Sequence, residues 1–232
     1  MAPIETQLNH FKIWKVATKK FQRGVTLLGQ FDKERQDAVI EAAEWLANPV
    51  QKNDEKILNA SQHLVGYVLK PPAKPAPKRW VVLSNQFHSE KTETMWHLGN
   101  PVVLLVPASK VYSGEAPAPP AGIDHFECYA VEDGKSFAPP VVLEDQFDVR
   151  LKRREVIKEL RPVFFGVPVS KNGERIIHPE AHLALYDIAP KSDSGKPPIK
   201  VLTRDQFGTL DMEVEGSILL AVPSLKLKWG EG

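Results

Sequence analysis

The stretch His125-Phe126-Glu127-Cys128-Tyr129-Ala130-Val131 has a pattern that occurs four times in the chain. The other copies are His10-Phe11-Lys12-Ile13-Trp14-Lys15-Val16, His63-Leu64-Val65-Gly66-Tyr67-Val68-Leu69 and His182-Leu183-Ala184-Leu185-Tyr186-Asp187-Ile188. Each copy is short, alternates in side-chain type and is rich in aromatic or branched residues. Such segments are typical of β-strands.

Two further signatures follow each of these phrases in the same order. About 20 residues downstream lies a β-branched stretch that closes with Gln-Phe, at residues 25–31, 81–87, 141–147 and 201–207. An apolar run ending in proline then closes each unit, at Pro49, Pro107, Pro168 and Pro223. Three ordered signatures found four times indicate one unit that has been copied.

The four repeats group into two halves. The segments 49–59 and 168–178 are similar connectors, and a proline-rich stretch at residues 114–122 separates the second repeat from the third. Proline-rich segments favour extended spacers. We therefore expect a first β domain at residues 1–113, a linker at 114–122 and a second β domain at 123–232. The predicted fold is all-β, with two similar tandem domains, each a β-sandwich or a partly closed β-barrel.

Two segments give a conflicting signal. Residues 33–47 and 153–160 contain helix formers at amphipathic spacing. The matching stretches of repeats two and four have the character of strands. Because copies of one unit should share a backbone, we predict strand in all four repeats.

Composition excludes several classes of protein. With 30 Lys+Arg and 29 Asp+Glu, the chain has no basic surplus for nucleic acid, so we expect no nucleic-acid partner. The apolar runs are too short for a membrane span, and no signal peptide is visible after Met1. A single cysteine, Cys128, excludes an intrachain disulfide and a thiolate metal cluster.

With these motifs in place, the chain resembles a bacterial β-repeat family of unknown function. Units of that family read His-Leu-x-Cys-Tyr, Asp-Gln-Phe-Gly and Leu-Leu-Cys-Val-Pro. The resemblance implies export and a disulfide between the two cysteines of each unit, but this chain departs from the pattern at seven of eight cysteine positions. Carried over, the paired positions are Ile13 with Ala47, Gly66 with Leu105, Cys128 with Gly166 and Ala184 with Ala221. A large residue opposite a small one is what a packed core requires if the side chains touch. The sequence therefore does not fix the cellular compartment of the protein.

Several candidate reactive groups have a simpler structural interpretation. The signature histidines His10, His63, His125 and His182 recur at one position, so we expect them to bond a neighbouring strand or the Gln-Phe turn. We expect the glutamines of that turn to satisfy its backbone groups, and Cys128 to be a buried, inert thiol. The pair His178 and His182 lacks the glutamate of a zinc protease motif, so no metal or cofactor is predicted.

The residues that interrupt the repeat are the better candidates for a site. The second repeat carries Trp80, His88, Trp96, His97 and Tyr112, where its relatives have other residues. Aromatic and imidazole groups on one sheet face could bind a glycan, a peptide or another subunit. The simpler alternative is that Trp96 fills the core.

The sequence contains no catalytic motif, so we expect no catalytic residues. The leading prediction is a non-enzymatic structural or binding module, of which a self-assembling surface or particle component is one form. Its partner would be a second copy of the chain or another protein. Two alternatives stay open: a carbohydrate- or small-ligand-binding protein, and an enzyme of unfamiliar type whose site lies between the halves. For the enzyme, a strongly shifted titratable group unmatched in the sister half would be the favouring observation.

Overall fold

The computed structural model describes residues 8–88, 94–188 and 199–232. The first seven residues, which bear on the expectation of no signal peptide, lie outside these ranges. Strands dominate the described residues, which confirms the all-β prediction. In chain order the strands are β1 (Phe11–Ala17), β2 (Arg23–Gly29), β3 (Gln36–Lys52), β4 (His63–Leu69), β5 (Arg79–Ser84), β6 (Thr94–Val111), β7 (His125–Val131), β8 (Val141–Asp145), β9 (Glu155–Ile157), β10 (Arg161–Lys171), β11 (His182–Asp187), β12 (Ile199–Asp205) and β13 (Gly208–Glu231).

The first and last strands of every repeat form a closed ring of eight antiparallel strands. The order is β1, β13, β11, β10, β7, β6, β4 and β3, and β3 pairs with β1 to close the ring. Every repeat therefore supplies two neighbouring strands, and we call this assembly the central ring. Its closure satisfies the backbone groups that an open sheet would leave unpaired at its edges.

The second strand of each repeat crosses to the opposite repeat. The pairs are β2 with β10, β5 with β13, β8 with β3 and β12 with β6. Strands from residues 1–113 and 123–232 thus share one sheet. Residues 114–122 pack against it, where the Pro117 carbonyl accepts a hydrogen bond from Ser109 and the Ala116 carbonyl accepts one from Arg204. The division into two domains stays a prediction about folding units.

The inside of the central ring is filled by apolar side chains from all four repeats. Alternation along a strand sends every second residue inward, so Phe11 and Ile13 face this core while Trp14 packs outside it. Two further apolar clusters lie between the ring and the crossing strands.

The positions that the resemblance assigns to disulfides meet inside the ring. Ile13 lies opposite Ala47, Gly66 opposite Leu105 and Cys128 opposite Gly166. The fourth predicted pair, Ala184 with Ala221, is wrong. Ala184 lies opposite Val222, and Ala221 lies opposite Leu185.

The physical reason for the fourth error is a shift of one residue, which moves a side chain to the other face of a strand. Leu185 is the residue directly before the tyrosine, as the cysteine of the motif is. With this correction all four pairs set a larger side chain against a smaller one, and all but the glycines belong to the inner core.

The strand prediction for the two segments with the conflicting signal is confirmed for part of each segment, and neither segment contains a helix. Residues 36–52 form β3, and Glu155–Ile157 form β9. The sequence missed a short helix, α1 (Gln146–Leu151), directly after the third β-branched stretch. It begins with a capping box between Asp145 and Asp148 and ends at Lys152, whose φ is 52°. Since this helix is only six residues long, no described helix could span a membrane.

Candidate functional site

The aromatic residue of each signature phrase reaches a turn of the opposite repeat. Trp14 donates a 2.7 Å hydrogen bond to Asp145, and Tyr67 donates one to Asp205. Tyr186 accepts a 2.9 Å hydrogen bond from Asn85. In each case the partner is the residue directly before the Gln-Phe pair. These bonds follow from the crossing of the second strands and join opposite repeats.

The fourth aromatic residue, Tyr129, has no such partner because its turn carries Gly29. Instead, the Tyr129 hydroxyl donates a 2.6 Å hydrogen bond to Glu127 on its own strand. The Gly29 amide donates a 2.8 Å hydrogen bond to Asp32. A Cβ atom built on Gly29 would lie 3.3 Å from an Asp32 carboxylate oxygen and 3.6 Å from a Glu127 carboxylate oxygen. Two carboxylates therefore converge where the other repeats place one turn side chain.

Glu127 is buried at the bottom of this arrangement, with 6% of its surface exposed. Its pKa is raised to about 7, chiefly by burial and also by the neighbouring Asp32, while the Tyr129 hydrogen bond and Arg79 act in the opposite direction. A carboxyl with a pKa near 7 exists in both protonation states at neutral pH. It can therefore donate a hydrogen bond, accept one or exchange a proton.

Arg79 is the cation of the site, and it is 7% exposed. Its guanidinium donates a 3.3 Å hydrogen bond to the Phe31 carbonyl and lies 5.5 Å and 5.8 Å from the rings of Phe31 and Tyr129. Its Nε atom is buried and has no hydrogen-bond partner among the described residues. A buried donor without a partner is costly and calls for an acceptor.

A cavity of about 480 Å³ opens above these groups, and we call it the Glu127 cavity. Phe31, Asp32, Arg79, Glu127 and Tyr129 all contribute to its lining. The proline-rich loop at residues 72–77 forms one wall, held in part by a 2.7 Å hydrogen bond from the Ala76 amide to Asn100. Its size is in the range of small-molecule sites, which combine apolar walls with a few convergent polar groups.

The corresponding place in the other half of the chain is filled by charged side chains. Lys12, which stands in the first phrase where Glu127 stands in the third, is fully buried and bonds Asp148 at 2.8 Å and also Glu155. Arg153 adds a 3.0 Å ion pair to Asp148, and Ser217 donates a 2.9 Å hydrogen bond to Glu155. Ion pairs therefore fill this place in one half of the chain, whereas the other half has the Glu127 cavity.

The five residues that the sequence selected do not form one site. His88 and Trp96 point inward, where their rings lie 5.8 Å apart, and Trp96 is 3% exposed in an apolar cluster. Trp80 and His97 lie opposite each other on β5 and β6, on the other face.

On that outer face Trp80 covers Gly230, since a Cβ atom there would lie 2.6 Å from the indole ring. Exposed His97 pairs with Asp133 at 2.6 Å. Tyr112 is separate from both groups and lies 4.8 Å from the Arg150 guanidinium.

Three of the four signature histidines bond the Gln-Phe turns, as expected, while the buried Nδ1 atom of His63 has no hydrogen-bond partner among the described residues. His10, His125 and His182 are hydrogen-bonded to Gln86, Gln206 and Gln30 of the Gln-Phe turns. Burial lowers the pKa of all four, to about 3 for His63 and about 4 for the others. These imidazoles are therefore neutral at physiological pH.

The expectation for the glutamines needs correction. Three of their amides bond the histidines, and two glutamines satisfy backbone groups of other turns, Gln146 at the Ala60 carbonyl and Gln30 at the Pro179 carbonyl. The turn backbone is satisfied by the preceding side chain, for example by Asn85, which accepts from the Phe87 and His88 amides. Within the described ranges no group of three or more His, Cys, Asp or Glu could hold a metal.

Sequence reasoning missed Glu127, Arg79 and Gly29. One signal was available: Gly29 replaces the Asp or Asn found at the other three turns. A glycine there removes a side chain that the opposite strand needs. The pairing of Tyr129 with that turn, however, depends on the crossing of β2, which no local pattern predicts.

Comparison with known proteins identifies a repeat family. A family model described as "Repeat of unknown function (DUF7450)" matches residues 63–223. The match starts at the second signature histidine and ends at the fourth closing proline. Searches of curated proteins and of solved structures each found no match.

Proposed function

The chain belongs to this family of repeats of unknown function, and on that premise we propose that it is a small-molecule binding module whose site is the Glu127 cavity. One observation carries the proposal. The buried groups Arg79 and Glu127 line a cavity at the single turn where the inter-repeat hydrogen bond is missing. Groups of this kind in a concave site are a common feature of ligand sites.

The closed ring favours a cavity ligand over assembly through sheet edges. Each strand of the central ring has a neighbour on both sides among the described residues. The short strand β9 pairs only with β8. A self-assembling particle built by edge addition would need longer unpaired edges. Bacterial origin, export and the cysteine-bearing form of the unit belong to the same set of proposals and rest on the sequence resemblance.

Binding can be tested with three six-carbon probes: hexanamide, hexanoate and hexylamine. Each is titrated at millimolar concentration into isotopically labelled protein, and the amide signals of Gly29, Phe31 and Tyr129 are followed by NMR. We expect saturable shifts at these residues with at least one probe. A protein that responds to none of them would contradict the proposal.

The loop offers a matched pair of variants for this experiment. Ala76→Trp places a large ring at a residue that lines the cavity, and binding should weaken by about tenfold or more. Ala73→Trp adds the same ring to an exposed position of the loop outside the lining, and binding should persist. Equal binding by both variants would place the ligand elsewhere.

The enzyme alternative is favoured by the same carboxyl. Glu127 has a pKa raised to about 7, and the sister position carries Lys12, so the shifted group is unmatched. Such a group can act as a general acid or base. A panel of chromogenic esters and glycosides tests this, with turnover lost in Glu127→Gln while folding is retained. No turnover by the wild-type protein across the panel would count against an enzyme.

A glycan-binding role for the second repeat rests on Trp80. Its half-exposed ring lies on Gly230, beside exposed His97, in the manner of a flat stacking surface. Trp80→Ala should abolish retention on glycan columns without unfolding the protein, as circular dichroism would show. Unchanged retention would exclude this surface.

A further inference from the structure

The Arg79 guanidinium is a buried charge without an ion pair. Glu127 acts on it through space, yet no carboxylate oxygen of the described residues lies within ion-pair distance of it. Buried cations in proteins are normally paired with an anion. The burial of this charge and its place in the lining of the cavity together mark a position for an external anion.

Arg23, at the equivalent position of the first repeat, shows that this position does not by itself produce a buried, unpaired guanidinium. Like Arg79, it lies two residues before the first valine of a β-branched stretch, and it lies 5.5 Å from the ring of Phe207. Arg23 is exposed, so water solvates its charge. Of these two arginines, only Arg79 is both buried and part of the lining of the Glu127 cavity.

We propose that the Glu127 cavity binds a monoanionic organic acid, whose carboxylate pairs with Arg79 and whose hydrocarbon part lies against the proline-rich wall. This inference rests on the proposed binding function and specifies its ligand class. An arginine N–H and a carboxylate form a strong, charge-assisted hydrogen bond. The carboxyl of Glu127, when protonated, supplies a second donor beside it.

The charges around the cavity argue against the other two classes of ion. Four basic and five acidic side chains contribute to the lining. An organic cation would leave Arg79 unpaired and add a second positive charge next to it. A phosphate dianion would meet the surplus of acidic groups with a single buried cation to balance it.

The probes described above also test this inference, by isothermal titration calorimetry at pH 6 and pH 8. Hexanoate should bind at least about tenfold more tightly than hexanamide or hexylamine at pH 6. Its affinity should fall at pH 8, because ionised Glu127 repels the ligand, with Asp32 adding to the repulsion and Arg79 opposing it. Glu127→Gln should remove most of this pH dependence.

Variants of the arginines complete the experiment. Arg79→Met should weaken hexanoate by about tenfold or more and hexanamide by a clearly smaller factor, whereas Arg23→Met should leave both unchanged. Arg79→Lys keeps a cation but loses the Nε donor, so it should weaken the binding of hexanoate as well. This variant replaces Arg79→Met in the experiment if the methionine variant does not fold.

The outcomes separate the two proposals. Hexanamide or hexylamine binding as tightly as hexanoate in the cavity would overturn the anion inference and leave the binding function standing. Hexanoate affinity that is unchanged in both Arg79 variants would overturn it too. If no probe binds, both proposals fail.

Discussion

Cys128 lies directly opposite Gly166 across the pair of strands β7 and β10, and a Cβ atom built on Gly166 would lie 3.4 Å from the Cys128 sulfur. The two residues occupy the positions that the sequence resemblance assigns to a disulfide. A cysteine at the glycine would therefore find its partner already in place.

We expect Gly166→Cys to form this cross-link under oxidising conditions. The closed loop should stabilise the fold by about 3 kcal/mol relative to the reduced protein, through the entropy of the unfolded chain. Thiol titration and urea unfolding, with and without reductant, measure both effects. Gly166→Ser controls for the added atoms, and two free thiols after oxidation would contradict the expectation.

Gly66 tests the packing of large against small side chains inside the ring. A Cβ atom there would lie 2.8 Å from Trp45 and 3.2 Å from Leu105. Gly66→Ala should therefore destabilise the protein by about 1–3 kcal/mol in urea unfolding, as overpacked cores do. Gly166→Ala, whose Cβ atom would have no contact closer than 3.3 Å, should cost less. The reverse order of the two variants would refute this account.

Lys12 should be far more important for stability than a surface lysine of the same strand. Lys12→Met removes the cation that pairs with both buried carboxylates, leaving Asp148 with Arg153 as its remaining partner, and should cost about 3–5 kcal/mol. Lys15, whose 3.2 Å pair with Glu215 is exposed, supplies the matched control. Lys15→Met should change the free energy of unfolding by less than about 1 kcal/mol. Similar losses in both variants would show that the buried network is dispensable.

Glu127 should make the fold less stable as pH rises. Because its pKa is raised from 4.5 to about 7, the folded state holds a proton that the unfolded state releases between these values. The wild-type protein should therefore lose about 3 kcal/mol relative to Glu127→Gln from pH 4.5 to pH 7.

The stability of the wild-type protein is measured relative to Glu127→Gln because other buried groups also titrate. The buried histidines have lowered pKa values, so their contribution has the opposite sign and falls as pH drops below 6.5. They are present in both proteins and cancel in the difference. A difference that does not depend on pH would mean that Glu127 titrates as an exposed carboxyl does.

Local patterns predicted the strands because the repeat places equivalent residues in equivalent backbones. Residues 36–47 carry helix formers, yet they belong to β3 because pairing with β1 and β4 outweighs intrinsic propensity. The helix α1 escaped prediction although Asp145 and Asp148 have the spacing of a capping box. The same turn without both carboxylates stays non-helical in the other repeats.

The site was harder to predict than the fold because its parts come from different repeats. Gly29, Arg79 and Glu127 are up to about 100 residues apart in the chain, and each is unremarkable in its own segment. The aromatic residues of the second repeat attracted attention instead, and Trp96 illustrates the error of equating an unusual residue with a ligand contact, since it fills an apolar cluster. Only the crossing of the second strands brings the three residues together.

The closure of the ring by β1 and β13 has a consequence for biosynthesis. A nascent chain that emerges amino end first can pair β1 with β3 early, but the other side of β1 stays unpaired until β13 has been translated. Until then, the unpaired backbone groups and the apolar side chains of β1 are exposed to other chains. The interval between translation of β1 and translation of β13 is therefore the period in which this strand edge is available for pairing with another polypeptide.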